Sequence, residues 1–283
     1  MTESLVTELD GARQHFLALV DDIRPELHRY CSRIVGSIVD GEDIVQDTLA
    51  KAFYAMSMAS EIPPLRPWLF RIAHNTAIDH LRRYEHKHVD PRGDFDDASD
   101  AEPMDPAVTR AALASFLELP VIQRSAVILK DVLGHSVEEA AETMGTTVPA
   151  VKAALVRGRA RMRQLRTEAA TAITIDPAER ARLANYVALF NARDWDALRA
   201  MIGDECRLDL VTRAERRGKQ IHGYFGRYAA EPVHLEIGSI DGRPALLAHT
   251  KAGGGPSYFM LLDWDGDRLA AIRDYRYVPY LFQ

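Results

Sequence analysis

A short basic segment behind a helix-turn pattern constrains this chain more than any other feature. Residues 152–166, KAALVRGRARMRQLR, hold six basic residues and no acid, although the chain carries a net charge of −6. Just upstream, Ser136 and Glu139 form a capping-box pattern that begins a helix, and Gly145 supplies a turn before the next helix. A basic helix behind a tight helix-turn-helix is typical of proteins that bind DNA phosphates, with a solvated helix face as the alternative.

The charge along the chain supports a local nucleic-acid surface and not a generally basic protein. Residues 91–107 hold six acids and one base, whereas residues 108–175 hold nine bases and six acids. The acidic stretch is also rich in Asp, Pro, Gly and Ser and has too few apolar residues to fold alone. We therefore interpret it as a solvated linker, with competition against DNA for a basic surface as the alternative.

Hydrophobic periodicity divides the chain into three folded parts. Apolar residues recur at helical spacing on both sides of the linker, which predicts an all-α domain over 12–88, the linker over 89–107 and a helix-turn-helix domain over 108–170. After residue 175, two helices precede alternating segments separated by glycine turns. This pattern predicts an α+β domain over 177–283 with a curved antiparallel sheet.

Composition excludes several classes. No apolar run approaches the roughly 20 residues that span a bilayer, and the first residues lack the apolar segment of a signal peptide, so we expect a cytoplasmic protein. Cys31 and Cys206 lie far apart and form no metal-binding or redox motif. We expect neither a metal nor a cofactor.

Three segments resemble the extracytoplasmic function (ECF) sigma factors of bacterial RNA polymerase. Residues 40–53 are similar to the family's region that binds the polymerase clamp helices. Residues 67–83 are similar to its promoter-melting and minus-ten segment. The third segment begins at Leu119-Pro120, ends in the basic helix and resembles its minus-thirty-five reader. The resemblance covers residues 12–170 and implies a promoter-specificity subunit, not an enzyme, whose partners are core RNA polymerase and promoter DNA.

The resemblance also assigns residues to each surface. The polymerase contact falls on a polar, acidic helix face: Asp40, Glu42, Asp43, Gln46 and Asp47. Minus-ten binding falls on the loop of residues 61–66 and the helix after it, where an amide can read a base edge and guanidiniums can neutralise phosphates: Arg66, Arg71, Asn75, Asp79, Arg82 and Arg83. Minus-thirty-five binding falls on the basic helix: Thr147, Ala150, Lys152, Ala153, Ala154, Arg157, Arg159 and Arg161.

Some residues of these segments have two readings. Trp68 could stack on a base, but its place in an apolar stripe favours the core. Many relatives carry Ser-Arg where this chain has Ala153-Ala154, so base readout would rest on Lys152 and on apolar contacts with thymine methyl groups. Gly158, in the middle of the basic helix, marks either a close backbone approach or a weak position.

The last part of the chain resembles the SnoaL-like domain, a cone-shaped fold, through residues 186–195 and 272–277. The resemblance implies a regulatory extension and leaves open a small ligand, intramolecular docking or catalysis in the cone. The residues that could serve catalysis have no spacing that fixes a pair: Asp209, His222, His234, Tyr258 and Asp274. Two alternatives to a sigma factor remain, a one-component ligand-sensing helix-turn-helix regulator and a cyclase-like or isomerase-like enzyme in the cone.

Overall fold

The computed structural model describes residues 16, 18–58, 63–85, 116–164, 175–217, 221, 223–251 and 254–281. The chain divides into two compact units, residues 1–169 and 170–283. Among the described residues, no helix is long and apolar enough to cross a membrane. Within the same ranges, no group of three His, Cys, Asp or Glu side chains is placed to hold a metal ion.

The first unit is helical. Glycine and proline residues mark two of its helix boundaries. Gly36, with φ +75°, ends the helix that begins at Arg24, and Pro63-Pro64 precedes the helix that begins at Leu65. The fourth helix continues directly into a π-helix, and the last two form the helix-turn-helix. The helices are α1 (Arg24–Val35), α2 (Ile38–Met58), α3 (Leu65–Glu85), α4 (Val121–Val127), the π-helix (Ile128–Val132), α5 (Val137–Met144) and α6 (Val148–Gln164).

The predicted capping box and turn are confirmed. The Glu139 amide donates to Ser136 Oγ at 3.0 Å, and the Ser136 amide donates to Glu139 Oε2 at 2.7 Å. Gly145 ends α5 with φ +61°. Gly158 marks a close approach of α6 to α4, because a Cβ there would lie 2.7 Å from Val127 Cγ2. Glycine at that position therefore permits packing that any side chain would obstruct.

The helices on the two sides of the linker share one core. Tyr30 and Phe70 from the first segment and Phe116 and Ile128 from the second are all fully buried in the same cluster. Arg124 joins the segments: it donates to the Ile34 carbonyl and, at 3.0 Å each, to the carbonyls of residues 117 and 119. The predicted boundaries at 12, 88/89, 107/108 and 170 lie outside the described residues.

The described residues of the second unit form three helices and six strands. Asp176 and Asp194 cap its first two helices by accepting backbone N–H groups. The helices are α7 (Pro177–Asn191), α8 (Trp195–Ala200) and α9 (Tyr224–Ala229). The strands are β1 (Ile202–Leu210), β2 (Ala214–Arg217), β3 (His234–Ile240), β4 (Arg243–His249), β5 (Tyr258–Asp265) and β6 (Arg268–Asp274).

The α+β architecture agrees with the sequence prediction, but the sheet is mixed and not antiparallel throughout. Its strand order is β2-β1-β6-β5-β4-β3, and β1 pairs with β6 in parallel. The other four pairings are antiparallel, and for β3–β4 and β5–β6 the tight turns at Asp241-Gly242 and Gly266 dictate this direction. Because β1 and β6 are joined by a long connection, no local turn signal fixed their relative direction.

The catalytic candidates of the second unit do not all come together. Asp209 pairs with Arg273 at 3.3 Å, and His234 is exposed. His222 lies outside the described residues. Tyr258 and Asp274 do lie in one buried cluster, joined through the Tyr228 hydroxyl.

Candidate nucleic-acid interface

A polar stripe follows one side of α3. Spacings of three and four residues place its members on successive turns of the helix, opposite the buried side chains of Phe70, Ala73 and Ala77. Five residues of the predicted minus-ten set form it, and all are exposed: Arg71, Asn75, Asp79, Arg82 and Arg83. Trp68 is half-buried against the core, as its apolar stripe favoured.

The stripe combines positive charge with one exposed amide. Arg83 Nε donates to the Asp79 carbonyl at 3.2 Å, and Arg82 Nη1 lies 3.9 Å from Asp79 Oδ1. These surface contacts hold the guanidiniums only weakly. The Asn75 amide lies between Arg71 and Asp79 along the stripe and can both donate and accept. This side of α3 can therefore neutralise phosphates and contact a base edge.

Arg66 differs from the other predicted minus-ten residues. Its guanidinium lies 2.7 Å from Glu26 Oε2 and donates to His135 Nε2 at 3.3 Å. It also lies over the Phe70 ring, 5.6 Å from the centroid. These contacts tie α3 to α1 and to the loop before α5, so Arg66 holds the helices together in this arrangement. Of the predicted loop before it, residues 61 and 62 lie outside the described residues.

The outer side of α6 carries six residues of the predicted minus-thirty-five set. Thr147, Lys152 and Arg161 are exposed, and Ala150, Ala153 and Arg157 are half-buried. The Ala150 amide donates to Thr147 Oγ1 at 3.4 Å, which places Thr147 at the start of the helix. A helix that presents its first turn and a row of cations outward has the layout of a recognition helix.

Two residues of the predicted minus-thirty-five set point inward. Ala154 is fully buried, so it cannot contact a base. Arg159 forms a bidentate ion pair with the buried Asp131, with Nε to Oδ2 at 2.8 Å and Nη2 to Oδ1 at 2.6 Å. That carboxylate raises the pKa of Arg159. The sequence held a signal for this correction, because Arg159 follows Leu155 by four residues and precedes Met162 by three, on the core side of the helix.

The predicted acidic face of α2 is smaller than the sequence suggested. Glu42 is fully buried and pairs with Arg24 at 2.5 Å, because it lies one turn before Val45 on the core side. Asp47 is exposed, and Asp40, Asp43 and Gln46 are half-buried. Sequence reasoning missed two apolar side chains farther along α2, Tyr54 (66% exposed) and Met58 (71% exposed). In the sequence, both side chains fall outside the apolar stripe that forms the buried side of α2, and this position indicates that they are exposed.

Helix α3 and the helix-turn-helix border one cavity of about 440 Å³. Helix α3 contributes His74, Ile78, Leu81 and Arg82, and the turn between α5 and α6 contributes residues 144–146. The His135 ring packs edge-on against Phe70 at 4.7 Å nearby. Burial lowers the pKa of His74 to about 4, and its Nδ1 lies 2.6 Å from the Tyr30 hydroxyl. Among the described residues that line this cavity, Arg82 is the one member of the α3 stripe, and the lining residues of the turn lie just before the predicted minus-thirty-five set.

Comparison with protein families gives two matches, both in the helical unit. Residues 19–87 match the family described as Sigma-70 region 2, and residues 110–162 match Sigma-70, region 4. The first match contains the acidic face of α2 and the polar stripe of α3. The second contains the helix-turn-helix and its basic helix.

Individual relatives extend the similarity. The ECF RNA polymerase sigma factor SigG of Mycobacterium tuberculosis is 29% identical, over 93% of this chain and 81% of SigG. The RNA polymerase sigma factor NccH of Alcaligenes xylosoxydans xylosoxydans is 35% identical, over 44% of this chain and 73% of NccH. The crystal structure of the M. tuberculosis sigma factor SigJ aligns with 91% of this chain and 95% of SigJ, at a TM-score of 0.37 and 20% identity.

Proposed function

The chain belongs to the extracytoplasmic function family of RNA polymerase sigma factors, and we propose that it directs core polymerase to promoters through the three surfaces described above. In this role it acts in the cytoplasm on DNA and polymerase and catalyses no covalent step. The exposed stripe on α3 carries the proposal, because it places an amide and three guanidiniums on one accessible helix side.

The α3 stripe would bind the minus-ten element. Arg71, Arg82 and Arg83 would neutralise phosphates, and the Asn75 amide would hydrogen-bond to the edge of an unstacked base. Unstacking costs a few kcal/mol per base, so the melted strand needs such contacts to remain open. This division assigns affinity to the arginines and strand opening to Asn75.

Helix α6 would read the minus-thirty-five element in the major groove. Its first turn would approach the bases through Thr147, Ala150, Lys152 and Ala153, whereas Arg157 and Arg161 would contact phosphates. Ala154 and Arg159 have no part in this contact because both point into the helical unit. With two alanines in the first turns, the helix would contribute more affinity than sequence choice.

The outer side of α2 would contact the polymerase. Asp47 offers an exposed negative charge, with the half-buried Asp40, Asp43 and Gln46 beside it. Tyr54 and Met58 add exposed apolar area on the same helix. An apolar patch next to acidic side chains suits a partner surface that is basic at its rim.

Binding of both promoter elements would require the helical unit to open. The elements are named by positions 10 and 35, which lie about 85 Å apart along B-DNA at about 3.4 Å per base pair. Arg82 and Thr146 line a single cavity of about 440 Å³. The α3 stripe and the helix-turn-helix would therefore separate when polymerase and promoter are engaged. We propose further that the second unit regulates this activity.

A binding assay with core polymerase tests the polymerase surface. We expect Asp47→Asn to weaken binding of the full chain about 3- to 10-fold, mainly through a slower association rate at low salt. Asp267→Asn, which removes an exposed acid from the second unit, is the matched control and should bind like the parent. Equal binding by all three proteins would place the polymerase contact elsewhere.

Truncation after residue 175 should change the initiation rate, and an unchanged rate would contradict a regulatory second unit.

A further inference from the structure

The second unit buries a carboxyl group that is satisfied from within. Asp274, at the end of β6, is 0% exposed. The Tyr224 and Tyr228 hydroxyls donate to its Oδ2 at 2.8 Å and 2.7 Å, and the Arg276 amide donates to its Oδ1 at 2.9 Å. Three donors therefore already satisfy the acceptor atoms of this carboxyl inside the fold.

A small pocket opens beside this group. Its volume is about 90 Å³. Three arginines from three separate segments line it: Arg216 on β2, Arg227 on α9 and Arg276 after β6. Among the described residues that line the pocket, Asp274 is the one acid. Arg276 also pairs with Glu231, so Arg216 and Arg227 supply the excess positive charge.

Tyrosine side chains hold two of the three guanidiniums in position. Arg227 Nη1 donates to the Tyr277 hydroxyl. The Arg276 guanidinium lies over the Tyr228 ring, 4.9 Å from its centroid. Guanidiniums fixed by stacking and hydrogen bonds lose less freedom when they bind an anion. The lining also includes the apolar side chains of Leu208 and Leu210.

We propose that this pocket binds a small organic carboxylate, with Arg216, Arg227 and Arg276 holding the carboxylate and the leucine side chains packing against its apolar body. Guanidinium forks match carboxylate geometry in a bidentate manner. Because Leu208 and Leu210 line one part of the pocket, an aliphatic acid fits better than an inorganic anion. A cavity of about 150 Å³ holds a benzene molecule, so this smaller pocket suits a short aliphatic chain. Burial raises the pKa of Asp274, which favours its neutral form and weakens its repulsion of an anion.

Butyrate is the probe that tests the site, with the full chain in solution and no DNA or polymerase present. We expect saturable butyrate binding by calorimetry or NMR titration. Butyramide, which has the same shape and no charge, should bind at least about tenfold more weakly, since it lacks the charge-assisted hydrogen bonds. Inorganic phosphate should also bind more weakly than butyrate.

Two substitutions locate the binding. Arg216→Gln and Arg227→Gln should each weaken butyrate about tenfold. Arg243→Gln is the matched control, because Arg243 is exposed at the start of β4 and does not line the pocket. Thermal unfolding of each variant establishes that it is folded. Failure of butyrate to saturate, equal binding of butyramide or phosphate, or equal effects of the three substitutions would overturn the proposal. The outcome is independent of the promoter role, because transcription is not measured.

Discussion

The ion pair between Asp131 and Arg159 separates a structural arginine from DNA-binding ones on the same helix. It links α6 to the π-helix, and its side chains are 1% and 12% exposed. Arg161, two residues farther along, lies 3.9 Å from Glu118, with both side chains about half exposed. We therefore expect Arg159 to contribute to stability and Arg161 to DNA binding, although both are basic residues of the same helix.

The expected loss of stability follows from burial. Removing one member of a buried pair leaves the other charge uncompensated and costs about 3–5 kcal/mol. Since Arg159 reaches solvent at its edge, we expect the lower end, about 3 kcal/mol, for Asp131→Asn. With a urea m-value of about 2 kcal/mol/M, the urea concentration at the unfolding midpoint should fall by about 1.5 M. Arg161→Gln should change stability by less than about 0.5 kcal/mol, because exposed pairs contribute little.

Urea unfolding followed by far-UV circular dichroism measures the first effect, and promoter binding across a salt series measures the second. Arg161→Gln should reduce the slope of log K against log salt by about one, because one phosphate contact is lost. Asp131→Asn should leave that slope unchanged at low urea. An unchanged midpoint for Asp131→Asn would refute the assignment of Arg159, and so would a flattened slope for Arg159→Gln with unchanged stability.

Three further predictions concern two residues of α3 and the packing of α6 against α4. Asn75→Ala should slow open-complex formation about tenfold while retaining duplex binding, since a base-edge contact is worth about 1–3 kcal/mol. Permanganate footprinting measures open-complex formation, and a gel-shift assay measures duplex binding. Equal losses in the two assays would contradict the role of Asn75 in strand opening. His74 has a pKa lowered to about 4, against 6.5 when unfolded, so the unfolded state binds the proton first and stability falls as pH drops. Between pH 7 and pH 5 this loss should be about 2 kcal/mol, and His74→Gln should remove it; an unchanged pH profile would show that His74 is not the group involved. Gly158→Ala should lower the free energy of unfolding by about 1–3 kcal/mol, because its Cβ would meet Val127 Cγ2 at 2.7 Å. Helix propensity alone would raise it by about 1 kcal/mol. A raised melting temperature would therefore refute the packing argument.

The sequence predicted the features that depend on neighbouring residues. The capping box at Ser136 and the turn at Gly145 need only local chemistry, and both are present. The stripe on α3 follows from helical periodicity. The class of the second unit follows in the same way from alternation and turn residues, although the sequence missed β2 and α9, which are only four and six residues long.

Features that depend on distant residues were out of reach. Arg159 and Asp131 are 28 residues apart, and Glu42 and Arg24 are 18 apart. Helical spacing places Arg159 on the core side of α6, but the distant partner that balances its charge does not follow from that spacing. The parallel pairing of β1 and β6 depends on the path of a long connection. The pocket beside Asp274 joins three arginines from separate segments, which no local spacing reveals.

Transcription initiation with purified core polymerase tests the central claim most directly. The full chain is added to core polymerase and a library of genomic fragments from its own organism, and the transcripts are mapped. We predict initiation from a defined set of fragments that share two upstream elements, and initiation about tenfold slower with Asn75→Ala. Failure of the chain to bind core polymerase, or no initiation from any fragment, would contradict its assignment as a promoter-specificity subunit.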